Sequence, residues 1–458
     1  MGQLTADIAA FVATNRYEDI PSDAVRAIKN ALSDYAAVTV LGADAEGTQI
    51  IAGFEPAGAD SGEARYVFSR SMGPARSAAL INGTSGHAHD YDDIGIAFHP
   101  AHPSVAMAPA IFAQAESMGA SGKDAICAFA TAYEVWSELA SRDRKPHHLR
   151  GFHPTGNFGT VAAAAGAAWL LGLDQKRASN ALAIAASQAA GLVANFGSMT
   201  KPFHAGRAAS AGLMSARYAA AGLTASPEIF EHKHGFLRAL SPEGEVDLER
   251  PCHFGKSWHL VDHGVGVKLY PLCYGNHRII NTLTRYVAGN DLPAEQIEHV
   301  AFKTAPSRVV ALVHTNPQTP LDAKFSAEFA VAMSVIAKRA TLAELTDEFF
   351  DRPDVRTLMG KVSRDLDPAR EPAHFNAEAD DELEFRMADG SVRTLRLSSP
   401  DDAAISLDTN VLWTKFLDCT GKAMSESEAA ALFGALQNLE TAKDIRTLPS
   451  YKAQQTKH

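Results

Sequence analysis

Apolar residues recur at three- and four-residue spacing through most of the first 260 positions, the period of helices with one buried face. After Pro21 and Ser22, a helix-start signal, Val25, Ile28, Leu32 and Tyr35 form such a face. The segment from Val105 to Leu139 repeats the pattern. From Phe158 to Leu171 the run FGTVAAAAGAAWLL is so rich in Ala and Gly that a helix there can pack closely on several sides, and Gly172 marks its end. Another small-residue helix, ASNALAIAASQAAGL, follows at once. The pattern predicts a tightly packed helical core rather than a layered α/β sheet.

Near residue 265 the period changes. Ile297 to Thr304, IEHVAFKT, alternates like a strand, and Glu382 to Leu397 holds two alternating runs joined by Ala-Asp-Gly, the signature of a hairpin. A helix is expected at Ser326 to Lys338. From Asn410 the chain is helical again, with Ser425 and Glu428 forming a capping box before AAALFGAL. The expected fold class is mainly α: a large all-helical domain from residues 1–264 and 405–458, and a smaller α+β domain from 265–404.

Composition narrows the function. At 458 residues the chain exceeds what one core usually covers, and 46% hydrophobic with 21% charged residues is an ordinary globular balance. A formal net charge of −11 disfavours nucleic acid as a partner and gives anionic substrates no long-range attraction, so carboxylates must be bound locally. Neither a long uncharged apolar run nor a signal peptide is seen, and MGQLTADIAAF lacks a basic start, so a cytoplasmic protein without membrane contact is expected. Cys127, Cys252, Cys273 and Cys419 show no C-x-x-C spacing, which argues against a disulfide framework or a zinc knuckle.

Four segments carry candidate chemistry. His87-Ala-His89-Asp90-Tyr91-Asp92-Asp93, with His99 and His102-Pro103-Ser104 just beyond, gathers carboxylates and imidazoles. Metal binding, a capped loop, and a metal-free acid/base site all fit that composition. The spacing matches neither H-E-x-x-H nor a dinuclear hydrolase, so no metal is expected, and acid/base work is favoured because His titrates near neutrality. Arg150-Gly-Phe-His153-Pro-Thr155-Gly feeds a helix start, where free N–H groups favour an anion. In the third segment Lys201 lies amid Gly, Met, Pro and Phe with His204 and Arg207 close behind; partial burial there would suit a base or a carboxylate partner. The fourth, Lys268-Leu-Tyr270-Pro-Leu-Cys273-Tyr274-Gly-Asn-His277-Arg278, offers proton carriers and anion clamps where the helical part gives way to the α+β part.

Taken in order, NGTSGHAHDYDD, the HPS element, GFHPTGNFGTVAAAAGAA, GSMTKPFHAGRAA, KLYPLCYGNHR and DAKFSAEFAVA resemble the MmgE/PrpD family over nearly the whole chain. That family includes 2-methylcitrate dehydratase, cis-aconitate decarboxylase and iminodisuccinate epimerase. The resemblance implies a cofactor-independent enzyme acting on a small polycarboxylate, with homodimers usual. It places the catalytic Asp on Asp90, two His on His102 and His153, and the lysine on Lys201. Lys268, Arg207, His277 and Tyr274 are expected to bind substrate.

Two positions depart from the decarboxylase pattern, Ile94 where it has Thr and Cys273 where it has His, and the loop before HPS is two residues longer, leaving the alignment at His99 and His102 open. Inverting a stereocentre beside a carboxylate needs two proton carriers on opposite faces, and a Cys273 thiol could be one. The expectation is therefore an isomerase, an epimerase of the iminodisuccinate type. The alternatives are a lyase of the 2-methylcitrate dehydratase kind, a cis-aconitate-type decarboxylase, and a non-catalytic binding protein of the same fold.

Overall fold

The computed structural model describes residues 3–95, 101–143, 150–241, 245–371, 380–399 and 406–452. The chain forms two compact units. One comprises Met1–Val193, Met199–Val267 and Ala403–His458; the other comprises Ala194–Ser198 and Lys268–Asp402. The short Ala194–Ser198 stretch thus joins the second unit, which the sequence pattern did not suggest, and the expected boundary at 404/405 lies outside the described residues.

The first unit is built on helices. The periodic face after Pro21 becomes the helix Ser22–Leu41, with Ile28, Leu32 and Tyr35 buried. The apolar stretch from Val105 is two helices rather than one, Pro103–Met118 and Gly122–Ala140. Gly119, at φ 67°, ends the first, and Ser121 with Asp124 caps the second in a reciprocal box. The alanine-rich helix runs Pro154–Leu170 and so starts four residues before Phe158, because Pro is well suited to the first turn, where an N–H has no partner anyway. Helices Ala75–His87, Pro103–Met118, Pro154–Leu170 and Thr200–Ala220 pack on one another around this alanine-rich stretch.

Their approach is set by small residues. A Cβ on Gly206 would lie 2.2 Å from the Leu80 carbonyl oxygen and 2.2 Å from Thr84 Oγ1, so the helices bearing Lys201 and His87 cross backbone against backbone. The tail returns as Thr409–Thr420 against Ser22–Leu41. There Lys415 Nζ lies 2.5 Å from Asp34 Oδ1 and donates to the Tyr91 carbonyl at 2.6 Å, with all three residues buried. The capping box of Ser425 and Glu428 starts the helix Glu426–Gln437. Among the described residues no helix is long and apolar enough to cross a membrane.

The second unit holds a four-stranded sheet in the order Val362–Leu366, Ile297–Thr304, Glu382–Met387, Val392–Arg396. The first pair is parallel and the others antiparallel. Strict alternation would put Ile297 and Val300 on opposite faces, yet both are buried. An irregularity in the register between Ile297 and His299 resets the phase. Helices His277–Gly289 and Ala327–Ile336 contribute to the core with Ile280, Leu283, Phe329 and Met333. The second of these helices, expected at Ser326 to Lys338, runs Ala327–Ile336 and is capped by the Ser326 hydroxyl, which accepts from the Phe329 N–H.

Candidate active site

In the first unit three helix starts converge on one cluster. His102 and His153 each occupy the position before a proline that begins a helix, Pro103 in one case and Pro154 in the other. A residue before proline is held out of helical geometry, so each imidazole is fixed at its helix entrance. The His102 N–H donates to Thr155 Oγ1 at 3.0 Å, tying one entrance to the other. Lys201 lies in the first turn of the third helix, with His204 three residues further along on the same side.

Lys201 and Asp90 are both 3% exposed, and Lys201 Nζ donates to Asp90 Oδ1 at 2.5 Å. Asp90 has φ 53°, a left-handed conformation uncommon for a non-glycine residue, which costs on the order of 1–3 kcal/mol and is held by the surrounding packing. His102 Nε2 stands 3.5 Å from the same oxygen. His153 Nδ1 meets His204 Nδ1 at 3.0 Å, so one of these rings must donate and the other accept. The His87 ring centre lies 4.4 Å from that of His102 and 5.9 Å from that of His153.

The two aspartates after Tyr91 divide their work. Asp92 accepts from His87 Nδ1 at 2.9 and 3.0 Å and lies 3.0 Å from His102 Nδ1. Burial alone would raise its pKa, but His87 and His102 hold it well below the usual carboxylate range. Asp93 instead accepts from the Ser104 N–H and hydroxyl at the start of the helix Pro103–Met118. Burial and nearby Asp34 push its carboxyl well up, against the Ser104 bonds.

Burial is also the main cause that lowers His87 to about 4, with Lys201 and His102 adding to it against the pull of Asp92. His204 is lowered to about 4 by burial and then by His87 and Lys201, and His153 falls well below its ordinary value through burial and Lys201. The result is a set of neutral imidazoles beside a buried ammonium–carboxylate pair.

Donor atoms of His87, Asp90, Asp92 and His102 lie within 4.8 Å of one another, a grouping that could accommodate a cation. The Lys201 ammonium already supplies positive charge at Asp90, so the donor set has its cation from the chain itself. A second grouping, Glu138, His253 and His259, is likewise compensated internally. Arg142 Nη2 is 2.6 Å and Arg250 Nη2 3.0 Å from Glu138, and His253 bridges Glu138 and Glu134 through its two ring nitrogens.

The sequence matches the family models for the MmgE/PrpD N-terminal domain over residues 6–249 and the MmgE/PrpD C-terminal domain over residues 270–441. The chain belongs to the MmgE/PrpD family. Similar proteins include the cis-aconitate decarboxylase of Mus musculus, 27% identical over 391 residues, spanning 82% of this chain and 78% of that protein. The cis-aconitate decarboxylase of Homo sapiens is 28% identical over 390 residues, spanning 82% and 79%. A cis-aconitate decarboxylase of Aspergillus terreus is 25% identical over 483 residues, spanning 97% and 95%.

Of the residues singled out from the MmgE/PrpD resemblance, Asp90, His102, His153 and Lys201 therefore come together in the first unit. Arg207 is on the Lys201 helix, half-buried, and its Nη1 has no partner among the described residues. His99 lies outside the described residues. Ile94 is buried and pairs through its backbone with Gly266.

Lys268, Cys273, Tyr274 and His277 belong to the second unit. Lys268 is fully buried. Cys273 is not in a disulfide and is 7% exposed, and its N–H donates to the Lys324 carbonyl at 3.0 Å. His277 Nε2 lies 3.1 Å from the Tyr270 carbonyl and 3.3 Å from that of Leu272, a contact that shapes the KLYPL turn. Sequence reasoning gave no separate role to His87 and Asp92, and named His204 only as a neighbour of Lys201 in its segment. The recurrence of His-Pro before two helices was the visible signal for the shared geometry of His102 and His153.

Proposed function

We propose that this MmgE/PrpD chain is a cofactor-independent enzyme that removes and returns a proton at a carbon beside a carboxylate of a small di- or tricarboxylate, as an epimerase of the iminodisuccinate type. The observation that carries the reading is the convergence of three helix starts on His102, His153 and Lys201. Anions favour helix N-termini, and an ammonium and a half-buried guanidinium at Arg207 add local positive charge to a chain of negative net charge.

Breaking the C–H bond beside a carboxylate puts its electron pair into an enediolate. Lys201 and Arg207 are the groups to hold that charge, and His102, His153 and Asp90 are the groups to take and return the proton. Cys273 and Ile94, where the chain departs from the decarboxylase pattern, are the reason for placing epimerisation first. Lys268 and Tyr274 are assigned to substrate binding on the family resemblance, and a homodimer is expected on the same ground.

A second reading is decarboxylation of cis-aconitate, which the names of the relatives favour; dehydration of a 2-methylcitrate-like substrate is a third. Proton and carbon NMR of iminodisuccinate, citrates and cis-aconitate incubated with the enzyme in D2O separates them. Epimerisation places deuterium at the α-carbon without loss of water or CO2. A new alkene signal from a citrate transfers the assignment to a dehydratase, and itaconate with CO2 to a decarboxylase. No turnover of any of these acids, with binding retained, points to a binding protein.

A further inference from the structure

Asp92 lies outside every role assigned above, yet two imidazoles of the cluster share its carboxylate. His87 Nδ1 approaches both of its oxygens, at 2.9 and 3.0 Å, and His102 Nδ1 lies 3.0 Å from Oδ2. A carboxylate accepts but does not donate, so each of those nitrogens carries a hydrogen. For His102 a second acceptor points the same way, since its Nδ1 also lies 3.0 Å from the Asp93 carbonyl. With Nδ1 occupied, the nitrogen of His102 that can exchange a proton is Nε2, the one that stands 3.5 Å from Asp90 Oδ1. His87 is 1% exposed and its Nε2 has no partner among the described residues, which leaves an acceptor lone pair in the middle of the imidazole cluster.

We propose that Asp92 is the positioning residue of this site, fixing His87 and His102 as Nδ1–H tautomers so that proton exchange with a bound carboxylate runs through Nε2 of His102. The catalytic part of the statement rests on the proton-transfer reading above. When Nε2 takes the substrate's α-proton, the C–H electron pair passes to the enediolate and the ring becomes an imidazolium, whose Nδ1–H then bonds more strongly to the ionised Asp92. For inversion a second carrier delivers a proton to the opposite face of the enediolate, and the His102 imidazolium then releases its own proton and returns to the neutral ring. His87 Nε2 can accept a hydrogen bond from substrate without itself changing charge.

The test couples a measurement that needs no substrate with one that does. Two-bond 15N–1H correlation spectra of protein labelled with 15N-histidine, assigned with His87→Gln and His102→Gln, report which ring nitrogen is protonated. Nδ1–H is expected on both rings of the unliganded protein. In Asp92→Asn a neutral amide with a single accepting oxygen replaces the carboxylate, so the Nδ1–H form is held less firmly and the Nε2–H tautomer should gain population on at least one ring.

Where turnover is measured, kcat should fall by roughly 10²–10⁴, as for an aspartate that orients a histidine, with KM changed by less than about threefold. Asp92→Glu should recover part of that loss and the wild-type tautomers. A bare Nδ1 on His102 in the wild-type spectrum, or Asp92→Asn with wild-type tautomers and turnover within about twofold of wild type, overturns the proposal. If Asp92→Asn fails to fold, the wild-type tautomers decide alone. Expected tautomers in a protein that turns over no carboxylate would leave the positioning intact and remove the proton-transfer reading.

Discussion

Replacing Lys201 by Met takes the ammonium away from Asp90 while keeping most of the side-chain volume. Both residues are 3% exposed and joined at 2.5 Å, so the substitution removes the ammonium from a buried carboxylate. Breaking such a pair from one side costs about 3–5 kcal/mol. His102 Nε2, 3.5 Å from Asp90, is placed to take up part of the lost charge, which argues for the lower end, about 3 kcal/mol. Asp90→Asn leaves the ammonium buried instead and should cost a similar amount. The double variant removes both charges, and its loss should be at least about 2 kcal/mol smaller than the sum of the two single losses.

Urea unfolding followed by circular dichroism at pH 7.5 measures the cycle. The same assay at several pH values gives a second signature. Without its ammonium, a buried Asp90 has a raised pKa, so the folded variant binds a proton more readily than the unfolded chain. The deficit of Lys201→Met relative to wild type should therefore shrink as the pH falls toward 5 and grow as it rises. Strict additivity of the two substitutions, or a cost below about 1 kcal/mol for Lys201→Met, would mean that the pair is solvated rather than buried.

The neutral imidazoles give the whole protein an acid limb. The pKa of His87 is depressed to about 4 from 6.5, so between those values the folded state binds fewer protons than the unfolded one. Stability from this group is complete above about pH 6.5 and declines as the pH drops, by about 2 kcal/mol at pH 5 for His87 alone. An unfolding midpoint unchanged between pH 7.5 and 5 would contradict this. Helix packing supplies a paired test. Gly206→Ala places a methyl 2.2 Å from the Leu80 carbonyl and should destabilise by about 1–3 kcal/mol while lowering activity through the Lys201 helix. Gly434→Ala, with nothing within 4 Å of the new Cβ inside the helix Glu426–Gln437, should instead stabilise by about 0.5–1 kcal/mol. Thermal and urea midpoints of the two variants moving in the same direction would refute the packing argument.

Local rules reached far into this chain because they act over a few residues. The three-to-four spacing after Pro21, the capping box at Ser425 and the Ala-Asp-Gly turn each specify their own element, since capping, turn conformation and burial of one face depend on near neighbours. The division at Gly119 is of the same local kind, a glycine end followed by the Ser121–Asp124 box, although the apolar spacing by itself does not mark it. Local rules could not see the shift of phase between Ile297 and His299, which is fixed by the neighbouring strand.

Residue types in the candidate site were legible. Their partnerships were not, because each pairing spans a distance in sequence that no local pattern encodes. Lys201 meets Asp90 and His153 meets His204 only once three helices have crossed at Gly206 and its neighbours. Asp92 and Asp93, adjacent and chemically identical in the sequence, acquire opposite pKa shifts because one faces two imidazoles and the other faces Asp34 and a helix start. The sequence by itself determined which segments are helical and which residues are capable of acid/base chemistry. Tertiary structure alone decided which of those groups share a proton, which are neutral, and which merely hold another in place, since desolvation and charge pairing depend on what the fold brings near.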